Sequence, residues 1–178
     1  MSVPKIRKNC VFGVMCKRLH DRNLILTQQR LVQNHDYDPF YDKTEEIVGE
    51  TLETGESVIQ AIRRGMQEEC GLPLDAKIDI YGAEADHLFE SDRGERISCT
   101  RPLCYLDSTG EPQLWVGPAF LVRVPENFTP SNEQSEGEAG EYKWRKPNEL
   151  LTAIAGNPDK FMGLHRPAMM IAARLLMG

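Results

Sequence analysis

The sequence has no surplus of basic charge. Its 178 residues carry 21 Lys and Arg against 27 Asp and Glu, a formal net charge of −6. Gripping duplex nucleic acid through its phosphates takes a cationic footprint, so that class of partner is excluded. Paired cysteines are missing as well. Cys10, Cys16, Cys70, Cys99 and Cys104 are odd in number and contain no CxxC, which signals neither a zinc site nor a disulfide framework. Scattered reduced thiols fit a cytoplasmic protein. Long apolar runs are absent too. The opening "MSVPKIRKNCVFGVMCKR" closes its short apolar stretch with basic residues, unlike a secretory signal. No segment reaches the about 20 apolar residues a membrane helix needs. There is no internal repeat and no linker, so residues 1–178 are expected to form a single domain.

What is present reads as mixed strands and helices. "NCVFGVMCK" and "NLILTQQR" are expected to pair as a hairpin across "RLHDR". "TEEIVG" reads as one short strand, "KIDIYGA" as another, and the charged stretch "ESDRGERISCTRP" as a loop. "QLWVGPAFLVRV" is a strong strand with a break or bulge expected near Gly117 and Pro118, and "EYKWRK" is a late strand. "PNELLTAIA" and "RPAMMIAARLLM" read as helices, the second with Pro167 in its first turn. This alternation points to an α/β or α+β sandwich.

The clearest helix begins at Ser57 and ends at Cys70. Ser57 with Gln60 three residues on is a capping box, Gly71 suits the left-handed residue after the last turn, and Pro73 prevents continuation. At about 100° per residue, Val58, Ile59, Ile62, Met66 and Cys70 share one apolar arc. Arg64, Glu68, Gly65 and Glu69 follow around the adjoining arc. An Arg64–Glu68 pair is an ordinary feature of a solvated helix face. Glu69, beside the apolar arc, is not ordinary, because a partly desolvated carboxylate wants a partner. Nor is Gly65, which costs about 1 kcal/mol relative to Ala inside a helix.

At "GETLETGESVIQAIRRGMQEECGL" the sequence resembles the Nudix hydrolase family, whose box is G-x5-E-x7-R-E-U-x-E-E-x-G-U with U aliphatic. Glu56 matches the isolated glutamate, Arg64 the arginine, Met66 the aliphatic position, Glu68 and Glu69 the carboxylate pair, and Gly71-Leu72 the ending. The resemblance implies an α/β fold, a Nudix-type α/β/α sandwich around a central mixed sheet. It implies Mg²⁺ or Mn²⁺ held by Glu68, Glu69 and Glu56. It also implies hydrolysis of a pyrophosphate bond in a small nucleoside diphosphate derivative linked to another group, by a protein that has no membrane partner and for which a homodimer is admissible.

Two positions depart from the box. The opening glycine falls on Glu50, although Gly49 is adjacent, and the first glutamate of R-E-U-x-E-E falls on Gly65. In the family that glutamate is a metal ligand. Either another carboxylate substitutes, with Glu136 and Glu138 of "SEGEAGEYKW" as candidate donors, catalytic groups or both, or the domain is a catalytically impaired nucleotide-binding or protein-interaction module. Glu136 and Glu138 equally suit a solvated acidic loop. Tyr37, Phe40, Tyr41 and Trp144 are candidates for base stacking, and Arg93, Arg96 and Arg101 for phosphate contact. Each has an equally plain structural use. His20, His35, His87 and His165 show no ligand spacing. On the helical wheel Gly65 leaves a gap between Glu68 and Glu69, and Gly65→Glu is expected to regain about 0.5–1 kcal/mol of helix propensity while tightening Mg²⁺ binding.

Overall fold

The computed structural model describes residues 7–31, 42–83, 88–108, 114–133 and 139–178. Strands β1 (Arg7–Leu19) and β2 (Arg22–Arg30) form the expected hairpin. Its turn residues, His20 and Asp21, take φ of 48° and 60°, a region His and Asp enter more readily than most residues. Next come β3 (Glu45–Glu46), β4 (Val48–Thr51), helix α1 (Val58–Cys70) and β5 (Asp79–Tyr81). After them lie β6 (Leu88–Glu90), β7 (Arg96–Ser98), β8 (Cys104–Asp107), β9 (Leu114–Arg123) and β10 (Ala139–Arg145). Helices α2 (Pro147–Gly156) and α3 (Arg166–Met177) close the chain.

The main sheet runs β10-β2-β1-β9-β5, with β3 beside β2, β4 beside β1 and β8 beside β9. β1 and β9 are parallel and their neighbours antiparallel, so the sheet is mixed. Side chains alternate across a strand, and β1 shows the outcome. Phe12, Val14 and Cys16 join a core with Leu150 and Ile154 of α2 and Met169 and Leu176 of α3. Val11 and Met15 join another core with Ile62, Met66 and Cys70 of α1. Helices therefore cover both faces, giving the α/β/α layering.

Two strand expectations need correction, and a third holds in part. "TEEIVG" is two strands, because Glu45–Glu46 pairs with β2 while Val48–Thr51 pairs with β1. The charged stretch after β5 holds the turn and the second strand of the hairpin β6–β7, tightened where the Ser91 hydroxyl accepts from the backbone N–H groups of Arg93 and Glu95 at 3.3 and 3.2 Å. β9 is not bulged at Gly117–Pro118, but its pairing with β1 lapses at those two residues, as the expected break would have it. Its register against β1 is the same at Asn9↔Val116 and Phe12↔Ala119, and β8 pairs through both residues from the other side. A Cβ on Gly117 would stand 1.7 Å from the Cys10 carbonyl oxygen, so glycine serves close approach there.

Helix α1 has the ends its sequence implies. The Ser57 hydroxyl accepts from Gln60 N at 3.3 Å, and the Gln60 side chain accepts from Ser57 N at 2.9 Å. At the far end Gly71 takes φ 72°, and the Gly71 and Leu72 N–H groups return to the Gln67 and Met66 carbonyls. Ile62 and Met66 are buried at 1% and 0% exposure. Ile62→Ala and Met66→Ala are each expected to cost about 2–5 kcal/mol, read as a fall in the urea midpoint. Midpoints that barely move would mean that this face does not carry the helix.

Candidate functional site

The turn from β4 into α1 is built around Arg64. Its Nε and Nη2 donate to the two oxygens of Glu56 at 3.0 and 2.9 Å. Nη2 also donates to the Thr51 carbonyl at 2.9 Å. Nη1 meets Glu50 at 3.0 Å and Glu68 at 3.4 Å. A planar guanidinium can serve several acceptors at once. Its hydrogen bonds hold the Glu56 carboxyl below the usual carboxylate range, and Glu56 in turn accepts from Glu53 N.

Gly65 stands where wheel geometry alone misleads. It is buried, and a Cβ built on it would lie 3.1 Å from Glu50 Cβ and 3.4 Å from both Glu50 Cγ and Val48 Cγ1. The gap beside Glu68 and Glu69 is therefore not open. It is filled by β4, and the expectation that Gly65→Glu simply adds a ligand is corrected. Ala61, one turn earlier on the same stripe, is also fully buried. Small residues at 61 and 65 let the helix and the strand approach closely, which explains a glycine inside the helix.

A cavity of about 550 Å³ opens along this seam. One wall is acidic, lined by Glu46, Glu50, Glu68 and Glu69; Lys8, Arg30, Trp115 and His165 also line it. Arg64 and Glu56 are not in the lining. Gln28 donates to the Glu69 carboxylate and to Glu46 at 3.5 Å, and Tyr142 donates to the Glu69 backbone carbonyl. Burial first, and then the charge of Glu46, push the Glu69 carboxyl well up, against the hydrogen bonds it receives from Gln28 and Gly49 N. Arg30 meets Glu46 at 3.3 Å.

The structure thus brings Glu68 and Glu69 to one cavity and puts Glu56 behind them, on Arg64. Glu136 and Glu138 lie outside the described residues, as do Tyr37, Phe40, Tyr41, His35 and His87. Trp144 does not line the cavity; the Lys17 ammonium sits 4.4 Å from its ring centre. Arg93, Arg96 and Arg101 are exposed and are not in the lining. Sequence reasoning passed over Glu46, Gln28, Arg30, Trp115 and His165. Only the burial of polar residues on strands, Gln28 on β2 and Glu46 on β3, marks them, and that shows in the structure and not in the spacing.

His165 is buried in the cavity wall, edge-on to Phe12 with ring centres 5.1 Å apart. Its Nδ1 accepts from Ile47 N at 3.4 Å, so that nitrogen carries no proton although Glu46 is 4.0 Å away. Burial, and next the charge of Arg30, push the imidazole down to about 3.

A NUDIX domain model matches residues 9–164. Among solved structures, the NUDIX domain of Shewanella oneidensis NrtR complexed with ADP ribose aligns at TM-score 0.60 and 14% identity, over 97% of this chain and 90% of that one. A NUDIX family hydrolase from Clostridium perfringens aligns at 0.61 and 16%, over 97% and 99%. The C. elegans Ap4A hydrolase binary complex aligns at 0.59 and 15%, over 94% and 97%. At these identities the likeness shows the fold. A search of curated proteins finds no match.

His165 generates a pH prediction. An unfolded histidine titrates near 6.5, above the folded value, so the unfolded chain binds the extra proton first. The contribution of neutral His165 is fully present above about pH 6.5 and is lost as pH falls toward 3, at up to about 1.4 kcal/mol per pH unit. The urea midpoint of the wild type is expected to fall more steeply from pH 6.5 to 5 than that of His165→Asn. Equal slopes would show that His165 is not held neutral.

Proposed function

The chain belongs to the NUDIX family, and on that premise we propose that it hydrolyses a pyrophosphate bond in a nucleoside diphosphate linked to another group, with Mg²⁺ or Mn²⁺ as its ion. The observation that carries the reading is the cavity in which the two box carboxylates, Glu68 and Glu69, share a wall with Glu46 and Glu50 and also face Lys8 and Trp115. The fold neighbours whose ligands or substrates are given take ADP ribose or Ap4A, both of this chemical class.

Among the described residues, no three His, Cys, Asp or Glu side chains already form a cage for an ion. The donor set nevertheless fits one. Carboxylate oxygens are the hard ligands that Mg²⁺ and Mn²⁺ prefer. One positive group, Arg64 Nη1, already gathers Glu50 and Glu68, so two carboxylates lie within reach of a single charge. Glu68 and Glu69 would hold the ion. The grip of Arg64 on both oxygens of Glu56 supports giving Glu56 a positioning role rather than a place on the metal. When bound, a divalent ion neutralises the diphosphate and makes its own water more acidic. Lys8 offers a cation for phosphate oxygens, and Trp115 offers a ring face to the base or the attached group. Gln28, which lines the same cavity, donates to the Glu69 carboxylate. An ion would also reconcile an acidic wall with an acidic substrate.

The departure at Gly65 favours a second reading, a domain that binds such a nucleotide without turning it over. Calorimetry with Mn²⁺, together with phosphate release from a panel of nucleoside diphosphate derivatives, tests both. Metal is expected to raise the melting temperature through mass action. Glu69→Gln is expected to weaken metal binding and to lower turnover by about 100-fold or more. No binding at millimolar metal would end the metal-dependent reading. Binding of metal and nucleotide with no turnover would establish the second.

A further inference from the structure

The two departures from the family box meet in space. The position that holds a glycine in the box holds Glu50 here, and the position that holds the first glutamate of the helix pair holds Gly65. Fifteen positions apart in sequence, these residues face each other across the seam between β4 and α1. The Cβ that Gly65 lacks would lie 3.1 Å from Glu50 Cβ and 3.4 Å from Glu50 Cγ. That is closer than side chains ordinarily come, so the seam has room for one such side chain.

From this we infer that the two substitutions are a reciprocal exchange, in which Glu50 on the strand supplies the carboxylate that the helix gave up at Gly65. The inference rests on the metal-dependent reading above and names the third carboxylate of that site. Three observations support it. The stem of Glu50 occupies the space that a side chain at 65 would enter. Glu50 lines the same cavity as Glu68 and Glu69, and its Oε1 accepts from Thr51 N at 2.7 Å, so of its two oxygens only Oε2 is held by Arg64. That oxygen meets the same guanidinium nitrogen as Glu68, at 3.0 Å against 3.4 Å. Glu50 is half-buried on β4, across the seam from α1. The exchange also accounts for Gly49, the neighbour that would otherwise pass for the displaced box glycine. A Cβ there would come within 3.0 Å of the Phe12 ring, so Gly49 serves packing on the opposite face of β4.

The test is a cycle of Glu50→Gly, Gly65→Glu and the double variant, with Glu50→Gln as a control that keeps the stem and removes the charge. Mn²⁺ affinity by calorimetry and the urea midpoint of metal-free protein are the readouts, with turnover as a third. Glu50→Gln is expected to leave the metal-free midpoint within error. It should weaken Mn²⁺ by at least what losing a supporting partner costs, about 10–100-fold. Gly65→Glu alone is expected to lower the metal-free midpoint, because its new side chain meets the Glu50 stem. The double variant is expected to recover both that midpoint and Mn²⁺ affinity to within a few-fold of wild type. Wild-type binding that Glu50→Gln leaves unchanged would overturn the inference. So would a double variant that binds no better than Glu50→Gly. A wild type that binds no metal refutes the metal-dependent reading itself, and is told apart because both other refutations begin from a wild type that binds.

Discussion

The site depends on what one guanidinium holds. Arg64 joins the end of β4, through the Thr51 carbonyl and Glu50, to the loop before α1, through Glu56, and to the body of the helix, through Glu68. The pair with Glu68, exposed on the carboxylate side, contributes little by itself. The value of the set is geometric. Five donors in one plane fix three chain segments relative to one another, and lysine, with a point charge on a flexible stem, has no equivalent. With the loop fixed, Ser57 is placed to cap the helix. With the cap placed, the helix starts in the register that aims Glu68 and Glu69 at the cavity.

Two carboxylates, Glu45 on β3 and Glu69 on α1, meet different surroundings. Burial alone would raise the Glu45 carboxyl, but Arg145, Thr27 and Lys143 more than offset it, and the group lies below its usual range. Arg145 grips both oxygens of Glu45, at 3.0 and 2.5 Å, which pins β3 to β10. Glu69 receives an amide from Gln28 instead, and it faces Glu46 and Glu50. The first arrangement is a satisfied structural pair. The second leaves negative charge partly unbalanced in a cavity, as functional sites commonly do.

Much of this was legible in the sequence because it is local. The capping box, the left-handed Gly71 and the apolar arc of α1 follow from spacing within a few residues, and each appears in the structure. The pairing of Arg64 with Glu68 was legible for the same reason. The rest depends on which elements cross. A helical wheel places Gly65 beside polar neighbours but does not show that β4 covers that side. His165 had no ligand spacing to betray it, since it reaches the cavity from the start of α3. Strands β6 and β8 are three and four residues long, too short for alternation to show. At Gly117 the expected break is a lapse in pairing with β1, and spacing did not show that the glycine also leaves room for the Cys10 carbonyl.

The central parallel pair has a consequence for how the chain reaches this state. β1 can zip onto β2 as soon as both are made, but its other edge waits for β9, roughly a hundred residues later. At synthesis rates of about 5–20 residues per second, a strand carrying Val11, Phe12, Val14 and Met15 spends seconds with an open hydrogen-bonding edge. That interval is when a second nascent chain, or a chaperone, can occupy the place of β9. The order of the strands along the chain therefore leaves that edge of β1 unpaired until β9 has been made, although the folded form keeps these residues covered.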